Sequence, residues 1–278
     1  MTATRTGEVG IGALSPSVSL RGMPPPLDAL GVIARLPDSD LSRPSEFDDG
    51  RKAPAQFILY DLLRHEQAIA AGPHDGRTEI ARTLDLAQMA FGELVGVLAG
   101  RDDALLDTAR DGEWSLRDVL RHAIAVELRY GAQVAYAATR GNEDPLAIPD
   151  VLLPCDRLSP PEPEFADSRT GGMTRMLDLL GEARARSDTR LEALPDDTLP
   201  RPSLWGKMQM SVRMRLHQTA AHLTEVVIQA EKCLGSVLDS EARQIVRRCC
   251  AMRGGHERWS NAAARAALDM RYRRLAES

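Results

Sequence analysis

The chain has 278 residues, of which 43% are hydrophobic and 4% aromatic, and its formal net charge is -5. This length and composition predict one sizeable core of aliphatic side chains, as in proteins whose helices pack on helices. The near balance of charge argues against broad electrostatic attraction to nucleic acid or to an anionic membrane, and we expect neither as a partner.

The start of the chain and its cysteines bear on the cellular compartment. The opening residues lack the apolar segment of a secretory signal, and no apolar run reaches the length of about 18 residues that could span a membrane. The cysteines form no CxxC pair, and the vicinal Cys249 and Cys250 do not resemble a zinc site. We therefore expect a cytoplasmic protein with reduced thiols. The excess of arginine over lysine indicates a GC-rich bacterial genome.

Residues 1–53 form the first predicted segment. They are rich in Gly, Pro, Ser and Asp and show no sustained hydrophobic period, which predicts a mostly disordered or irregular arm, or one that lies on the domain. Within it, the stretch LDALGVIARL is long enough for a helical turn or two. Residues 54–76 are predicted to form an accessory helix, because Phe57, Ile58, Leu62, Ile69 and the alanines recur at helical spacing and Gly72 and Pro73 end the pattern.

Residues 77–236 are predicted to contain four further helices. The clearest of them follows Ser115, which can cap it, and Asp118 completes a pair that resembles a capping box. A proline-rich loop of about 28 residues separates the second helix from the third, and a loop of this length often covers a functional cleft. The last of the four helices begins at Val212 and ends at Gly235.

Residues 237–278 are predicted to form a C-terminal helical extension of two helices, divided by Gly254 and Gly255. Arginines near the end of the chain, such as Arg271 and Arg273, are interpreted as a solvated helix face. No βαβ alternation and no strong strand signal occurs in the sequence. The predicted fold class is therefore all-α.

Two histidines on different predicted helices are candidate metal ligands. His122 borders the apolar stripe of its helix, and His222 lies at the edge of the stripe on another. His217 lies about 140° around the helix axis from His222, so these two do not readily share an ion. Glu225 follows His222 by one turn, and with His122 it completes a His-His-Glu set that leaves positions open for water or substrate. The alternative is that both histidines are structural and hydrogen-bond to their neighbours.

Other catalytic patterns are not found in the sequence. No GxGxxG motif opens a helix after a strand, GxSxG does not occur, and no serine or cysteine stands in a recognisable arrangement with a histidine and an acid. His65, His74 and His256 lie near helix ends or loops, where capping or hydrogen bonding explains them. Glu127 is interpreted as a solvated or salt-bridged side chain.

Two segments carry a resemblance to the DinB-like family. EWSLRDVLRHAIAVELRY resembles a family helix that opens with Trp-Ser and bears a histidine one to two turns later, matched here by Trp114, Ser115 and His122. SVRMRLHQTAAHLTEVVIQAEKCLG resembles the last bundle helix of the family. The resemblance covers about residues 77–236 and implies an up-down four-helix bundle, to which the remaining helices would be added at both ends.

The last bundle helix of that family carries a His-x-x-x-His pair followed by a glutamine. His222 matches the first histidine, Val226 replaces the second, and Gln229 stands at the position of the glutamine. The family commonly binds a divalent metal such as zinc or nickel through three histidines. The resemblance therefore implies His122 and His222 as metal ligands, with Glu225, His217 or water in the third place, because valine cannot bind a metal.

The resemblance also implies a function and an alternative to it. Some family members are similar to transferases or isomerases that use a low-molecular-weight thiol such as mycothiol or bacillithiol. This implies a metal-dependent thiol S-transferase or isomerase-like enzyme that acts on a small-molecule substrate. The alternative is a non-catalytic bundle with a degenerate metal site, which serves as a binding or oligomerisation module. A homodimer through exposed helix faces is compatible with both. Catalytic and cofactor-binding residues are not identified by the sequence.

Overall fold

The computed structural model describes residues 25–46, 50, 52–70, 76–109, 112–235 and 239–278. Eight α-helices occur within these ranges: α1 Leu27–Ala34, α2 Ala55–Ala70, α3 Glu79–Leu98, α4 Leu116–Thr139, α5 Met173–Leu191, α6 Val212–Leu234, α7 Glu241–His256 and α8 Ala262–Glu277. Four short strands form two antiparallel hairpins: β1 Pro44–Glu46 with β2 Lys52–Pro54, and β3 Pro202–Trp205 with β4 Met208–Ser211. Strands this short leave too few residues for the period-2 pattern by which a sequence reveals a strand.

Helices α3 to α6 form the four-helix bundle. α4 packs against α5 and α6, and α3 packs against α6. One apolar cluster gathers the start of α3, the ends of α4 and α5 and the start of α6, as shown by Ile80, Val134, Leu191 and Leu216. The helices therefore run up, down, down and up. The all-α fold and the four-helix bundle with extra helices at both ends are confirmed.

The parallel course of α4 and α5 departs from the strict alternation of the predicted up-down bundle and has a physical cause. A direct turn can only reverse the chain, so two parallel neighbours need a connection that returns along the whole bundle. The proline-rich segment between Thr139 and Met173 provides it. This segment passes over α4, where the carbonyl of Arg157 lies 2.7 Å from Nδ1 of His122.

The start of α4 follows the predicted cap. The Oγ atom of Ser115 accepts a hydrogen bond from the backbone N–H of Asp118 at 3.1 Å, which satisfies one of the free donors of the first turn. The same hydroxyl donates to Oδ2 of Asp118 at 2.6 Å. The two side chains therefore bond to each other, in place of the reciprocal backbone bond of a capping box.

Part of the predicted N-terminal arm is folded. Residues 1–24 of that arm lie outside the described residues, but α1 packs against α7 and α8 and buries Leu30 and Ile33 completely. The predicted stop of the accessory helix at Gly72 also lies outside the described residues. α1, α2, α7 and α8 share one apolar core with the bundle.

The division of the C-terminal extension at Gly254 and Gly255 is wrong, because α7 continues through both glycines to His256. A Cβ atom on Gly254 would lie 2.3 Å from the carbonyl oxygen of Gln88 in α3. This glycine therefore permits close packing of two helices and does not end one.

Arginines near the end of the chain form ion pairs that the sequence did not indicate. Arg271 forms an ion pair with Asp61, and each side chain is only 12% exposed, so the interpretation of a purely solvated face is wrong at this position. Arg273 pairs with Asp28 at 2.6 Å. Glu127 is 2% exposed and pairs with Arg184 at 2.6 Å, in agreement with its salt-bridged interpretation. No helix in the described ranges has the length and apolar character needed to cross a bilayer.

Candidate functional site

His122 of α4 and His222 of α6 meet between their helices. Their Nε2 atoms are 3.2 Å apart, and their ring centroids are 5.2 Å apart. Both side chains are partly buried. The structure therefore brings together the two histidines that the sequence singled out from different helices.

The partners of the two rings determine where their protons lie. A carbonyl oxygen can only accept, so Nδ1 of His122 carries a proton and donates it to the carbonyl of Arg157 at 2.7 Å. In a neutral ring, Nε2 of His122 then has a lone pair, which faces Nε2 of His222. Burial, and secondarily the charge of His122, lowers the pKa of His222 to about 4. His222 is therefore neutral at pH 7 and donates its Nε2–H to His122.

Aromatic rings flank the pair on both sides. The Trp114 ring lies edge-on to His122 with centroids 5.1 Å apart, and the Tyr130 ring lies 5.6 Å from His222. Val226, one turn after His222, has no exposed surface. The imidazoles are thus positioned by packing as well as by hydrogen bonds.

The third predicted ligand is not gathered with the two histidines. Glu225 is exposed, and its Oε1 accepts from Nε2 of Gln229 at 3.4 Å. Across the described ranges, no group of three or more His, Cys, Asp and Glu side chains is arranged to hold a metal ion. His217 is exposed on another face of α6, as its angular position predicted.

A cavity of about 310 Å³ is lined in part by Trp114, whose ring also contacts His122. Its lining comes from the start of α4, the end of α6 and the segment before α4: Thr108, Glu113, Trp114, Val119, Gln229, Lys232 and Cys233. This size is at the lower end of the range for small-molecule sites, which is about 300–1,000 Å³. Lys232 supplies a positive charge within it, and Trp114 supplies an apolar wall shared with His122.

A second histidine cluster lies between α2 and α7, and the sequence did not reveal it. Nε2 of His256 is 2.5 Å from Oε2 of Glu66, and Nδ1 of His256 is 3.0 Å from Oγ of Ser260. A serine, a histidine and an acid are thus linked as in a catalytic triad, but with the two ring nitrogens in exchanged positions. The expectation that no serine has such partners is therefore wrong. Glu66 is separated from His256 by 190 residues of sequence, and no local pattern encodes a contact of that range.

The partners of this cluster favour a structural role. Arg253 pairs with Glu66 at 2.9 Å, and the hydroxyl of Tyr272 donates to the same carboxylate at 3.2 Å. Burial opposes ionisation of Glu66, but the hydrogen bond from His256 and the charge of Arg253 lower its pKa. Nη1 of Arg265 donates to Oγ of Ser260 at 3.1 Å. The carboxylate and the hydroxyl are thus engaged in holding α2, α7 and α8 together.

Comparisons with known proteins bear on the bundle. A search among curated proteins gave no match. Among solved structures, the chain is similar to YfiT from Bacillus subtilis, with a TM-score of 0.43 and 19% sequence identity. That protein is described as a probable metal-dependent hydrolase with an unusual four-helix bundle topology. The similarity covers 58% of this chain and 90% of the YfiT chain. The family model of the DinB superfamily matches residues 83–225, just over half of the chain. The chain therefore belongs to the DinB superfamily.

Proposed function

We propose that this chain binds a divalent metal ion through Nε2 of His122 and Nε2 of His222, and that water or a small molecule supplies the remaining ligands. The observation that carries this proposal is the distance of 3.2 Å between the two nitrogen atoms. Two imidazole nitrogens that bind one tetrahedral zinc ion at about 2.0–2.1 Å are separated by about 3.3 Å. The rings therefore need little movement to share an ion.

The donor atoms fit two positions of such an ion. The hydrogen bond from Nδ1 of His122 to the Arg157 carbonyl fixes the ring and leaves the lone pair of Nε2 available. A backbone carbonyl is a usual hydrogen-bond acceptor for the second nitrogen of a histidine that binds a metal. His222 is neutral at pH 7 because burial lowers its pKa, and it exposes an Nε2 lone pair when its proton moves to Nδ1. Val226 offers no donor, so at least two positions stay open.

The residues around the pair would orient a ligand of the ion. Trp114 and Tyr130 pack against the imidazoles and would help to fix their orientation toward an ion. The cavity that Trp114 lines offers Lys232 for an anionic group and Gln229 for hydrogen bonds. When bound, a divalent ion would act as a Lewis acid that lowers the pKa of a coordinated thiol or water. This chemistry suits an S-transferase or isomerase-like reaction with a low-molecular-weight thiol.

The second candidate is a non-catalytic bundle that serves as a binding or oligomerisation module. It is favoured by Val226, whose buried side chain stands where the family pattern has a third histidine. The distance of 3.2 Å also suits an N–H···N hydrogen bond, which would satisfy both rings without an ion. This candidate predicts no specific metal binding.

Metal titration of the full-length protein separates the two candidates. Chelator-treated protein is titrated with zinc or nickel, and the stoichiometry is measured for wild type, His122→Ala, His222→Ala and His217→Ala. The first candidate predicts one ion per chain in wild type and in His217→Ala, whose imidazole is exposed on the same helix, and none in the other two variants. Equal binding by all four proteins, or none by wild type, contradicts it.

Thiol use is tested on the same samples. Cobalt(II) replaces zinc, and N-acetylcysteine is added as the probe. A thiolate-to-cobalt absorption band that is absent from His222→Ala supports coordination of a small thiol at this site. An unchanged cobalt spectrum contradicts it while leaving the metal site itself in place.

A further inference from the structure

Arg215 of α6 is a completely buried cation that pairs with no carboxylate among the described residues. Its exposed fraction is 0%, and its Nη1 and Nη2 atoms donate to the side-chain oxygens of Gln218 and Gln133. None of the ion pairs between described residues includes it. The two other large buried arginines differ, because Arg184 pairs with Glu127 at 2.6 Å and Arg253 pairs with Glu66 at 2.9 Å.

Two further polar atoms next to Arg215 lack partners. Its own Nε, and Oγ1 of Thr219 one turn along the same helix, are buried and form no hydrogen bond with any residue that the structure describes. Thr219 is 2% exposed. A buried donor without a partner is costly, and a buried charge without a counter-charge is more so. Such an arrangement persists where function requires it, because sites that bind a ligand commonly sacrifice stability.

The vacant hydrogen-bonding capacity has the geometry of a carboxylate site. Nε–H and Nη2–H of an arginine lie side by side and point the same way, so one carboxylate can accept from both. Nη2 now donates to the single amide oxygen of Gln133, and Nε has no acceptor. A carboxylate in place of the Gln133 oxygen would satisfy both donors and supply the missing negative charge.

Gln133 also connects this arginine to a cavity of about 160 Å³. The lining combines α4, the segment after it and the β3–β4 hairpin, and it includes Arg129, Gln133, Tyr136, Asp150 and Ser203. Arg129 adds a second positive charge, and the carboxylate of Asp150 is exposed. The cavity is smaller than the roughly 300–1,000 Å³ typical of drug-sized ligands, so it suits an organic acid of few atoms.

We propose that Arg215 binds the carboxylate of a small organic acid, which enters through the cavity at Gln133 and displaces the Gln133 amide oxygen from Nη2. The Tyr130 ring lies 4.5 Å from the guanidinium carbon of Arg215 and 5.6 Å from the ring of His222. The carboxylate site and the histidine pair are thus joined through one side chain. If one substrate occupied both sites, that part of the inference would rest on the proposed metal function. The carboxylate site itself needs no metal.

Thermal unfolding of chelator-treated, full-length protein tests the carboxylate site. Sodium acetate and sodium propionate are the probes, with sodium chloride at equal ionic strength and neutral acetamide as controls. Saturable binding at ten times the dissociation constant raises the unfolding midpoint by about 2–3 °C. Arg215→Met and Thr219→Val should lose or weaken this rise, whereas Arg190→Met, which removes an exposed arginine, should keep it.

The same variants distinguish a ligand site from an ordinary structural arginine. Without carboxylate, Arg215→Met and Thr219→Val should unfold at or above the wild-type midpoint, because the first removes a buried charge that has no counter-charge among the described residues and the second removes a buried hydroxyl without a described partner. The proposal is overturned if carboxylates have no effect beyond the chloride control, or if Thr219→Val and Arg215→Met both keep the full rise. Inorganic phosphate that stabilises as strongly as acetate overturns the assignment to carboxylates. Metal stoichiometry is measured separately, so failure at one site leaves the other test intact.

Discussion

His122 and His222 point their Nε2 atoms at each other across 3.2 Å, so only one proton can lie between the two rings. The proton of His122 is held on Nδ1 by the Arg157 carbonyl, and the shared proton therefore belongs to His222. Added acid must protonate a buried ring next to another imidazole. An added metal ion must displace the shared proton. Acid and metal ions thus compete for the same pair of nitrogen atoms.

The pair makes stability depend on pH in a defined window. The pKa of His222 is lowered to about 4, whereas a histidine in an unfolded chain has a pKa of about 6.5. Between these values the unfolded chain binds a proton that the folded chain refuses, so the free energy of unfolding falls as the pH falls. Above the unfolded pKa both states are neutral, and His222 has no effect.

Urea denaturation at pH 7.5 and pH 5 checks this dependence. Between pH 7.5 and pH 5, the free energy of unfolding of wild type should fall by about 2 kcal/mol more than that of His222→Gln. About 1.5 pH units of this interval lie below the unfolded pKa, and each contributes about 1.36 kcal/mol. His217→Gln is the matched control, since its imidazole is exposed on the same helix. Equal losses in wild type and His222→Gln would mean that His222 is not desolvated when folded.

Replacing Val226 with histidine should restore a third metal ligand. Position 226 lies one turn after His222 on α6 and is completely buried. Without metal, the larger polar ring should lower the free energy of unfolding by about 1–3 kcal/mol through overpacking. With zinc, Val226→His should bind at least about tenfold more tightly than wild type, since a structural or catalytic zinc site normally has three or more protein ligands.

Calorimetric zinc titration of both proteins measures the effect. Val226→Leu is the control for volume, because it overpacks the site without adding a donor. Zinc affinity that is unchanged in Val226→His would show that position 226 does not face the histidine pair.

The helices could be predicted because their signals are local. The stripe on α6 and its stop at Gly235 gave the observed bounds Val212–Leu234, and Ser115 marked the start of α4. Each feature depends on residues within a turn or two. His122 and His222 each lie beside the apolar stripe of an amphipathic helix, and these positions suggested that the two side chains meet.

What could not be predicted depends on contacts between distant segments. Gly254 resembled a helix end, yet its role is to bring α7 close to Gln88 of α3. The Arg157 carbonyl that fixes the His122 proton comes from an irregular loop, whose path has no periodic signal. Arg215 resembled any polar helix residue, because burial of a charge is decided by the neighbouring helix and not by the local sequence.

The buried Glu66 carboxylate should be essential for stability. It accepts hydrogen bonds from Arg253, His256 and Tyr272 and has no exposed surface. Glu66→Gln leaves Arg253 with Asp269 as its remaining acidic partner, and breaking a buried ion pair costs about 3–5 kcal/mol. Urea denaturation should show this loss, whereas Glu225→Gln at an exposed position should change stability by less than about 0.5 kcal/mol.

The same cluster allows a test of its structural interpretation. A fluorophosphonate probe labels serines that a histidine and an acid activate. Wild-type protein should not be labelled at Ser260, because its hydroxyl is engaged by both His256 and Arg265. Labelling that disappears in Ser260→Ala would instead establish a working nucleophile at this position.

Two glycine substitutions should change the free energy of unfolding in opposite directions, because only one of the two glycines lies where α3 and α7 are in close contact. A Cβ atom on Gly92 would lie 2.2 Å from the carbonyl oxygen of Cys250, and a helix backbone cannot yield to that overlap as a flexible side chain would. Alanine gains about 1 kcal/mol in helix propensity, but the separation of the two helices should outweigh this gain. Gly92→Ala should therefore lower the free energy of unfolding by about 1–3 kcal/mol.

Gly181→Ala is the matched control, because Gly181 also lies inside a helix. Its added Cβ would lie 3.6 Å from Cζ of Phe91, an ordinary contact, so the propensity gain should appear as a stabilisation of about 0.5–1 kcal/mol. Urea denaturation of the two variants should thus give changes of opposite sign. If both variants were stabilised, α3 and α7 would have to lie further apart than the packing at Gly92 and Gly254 requires.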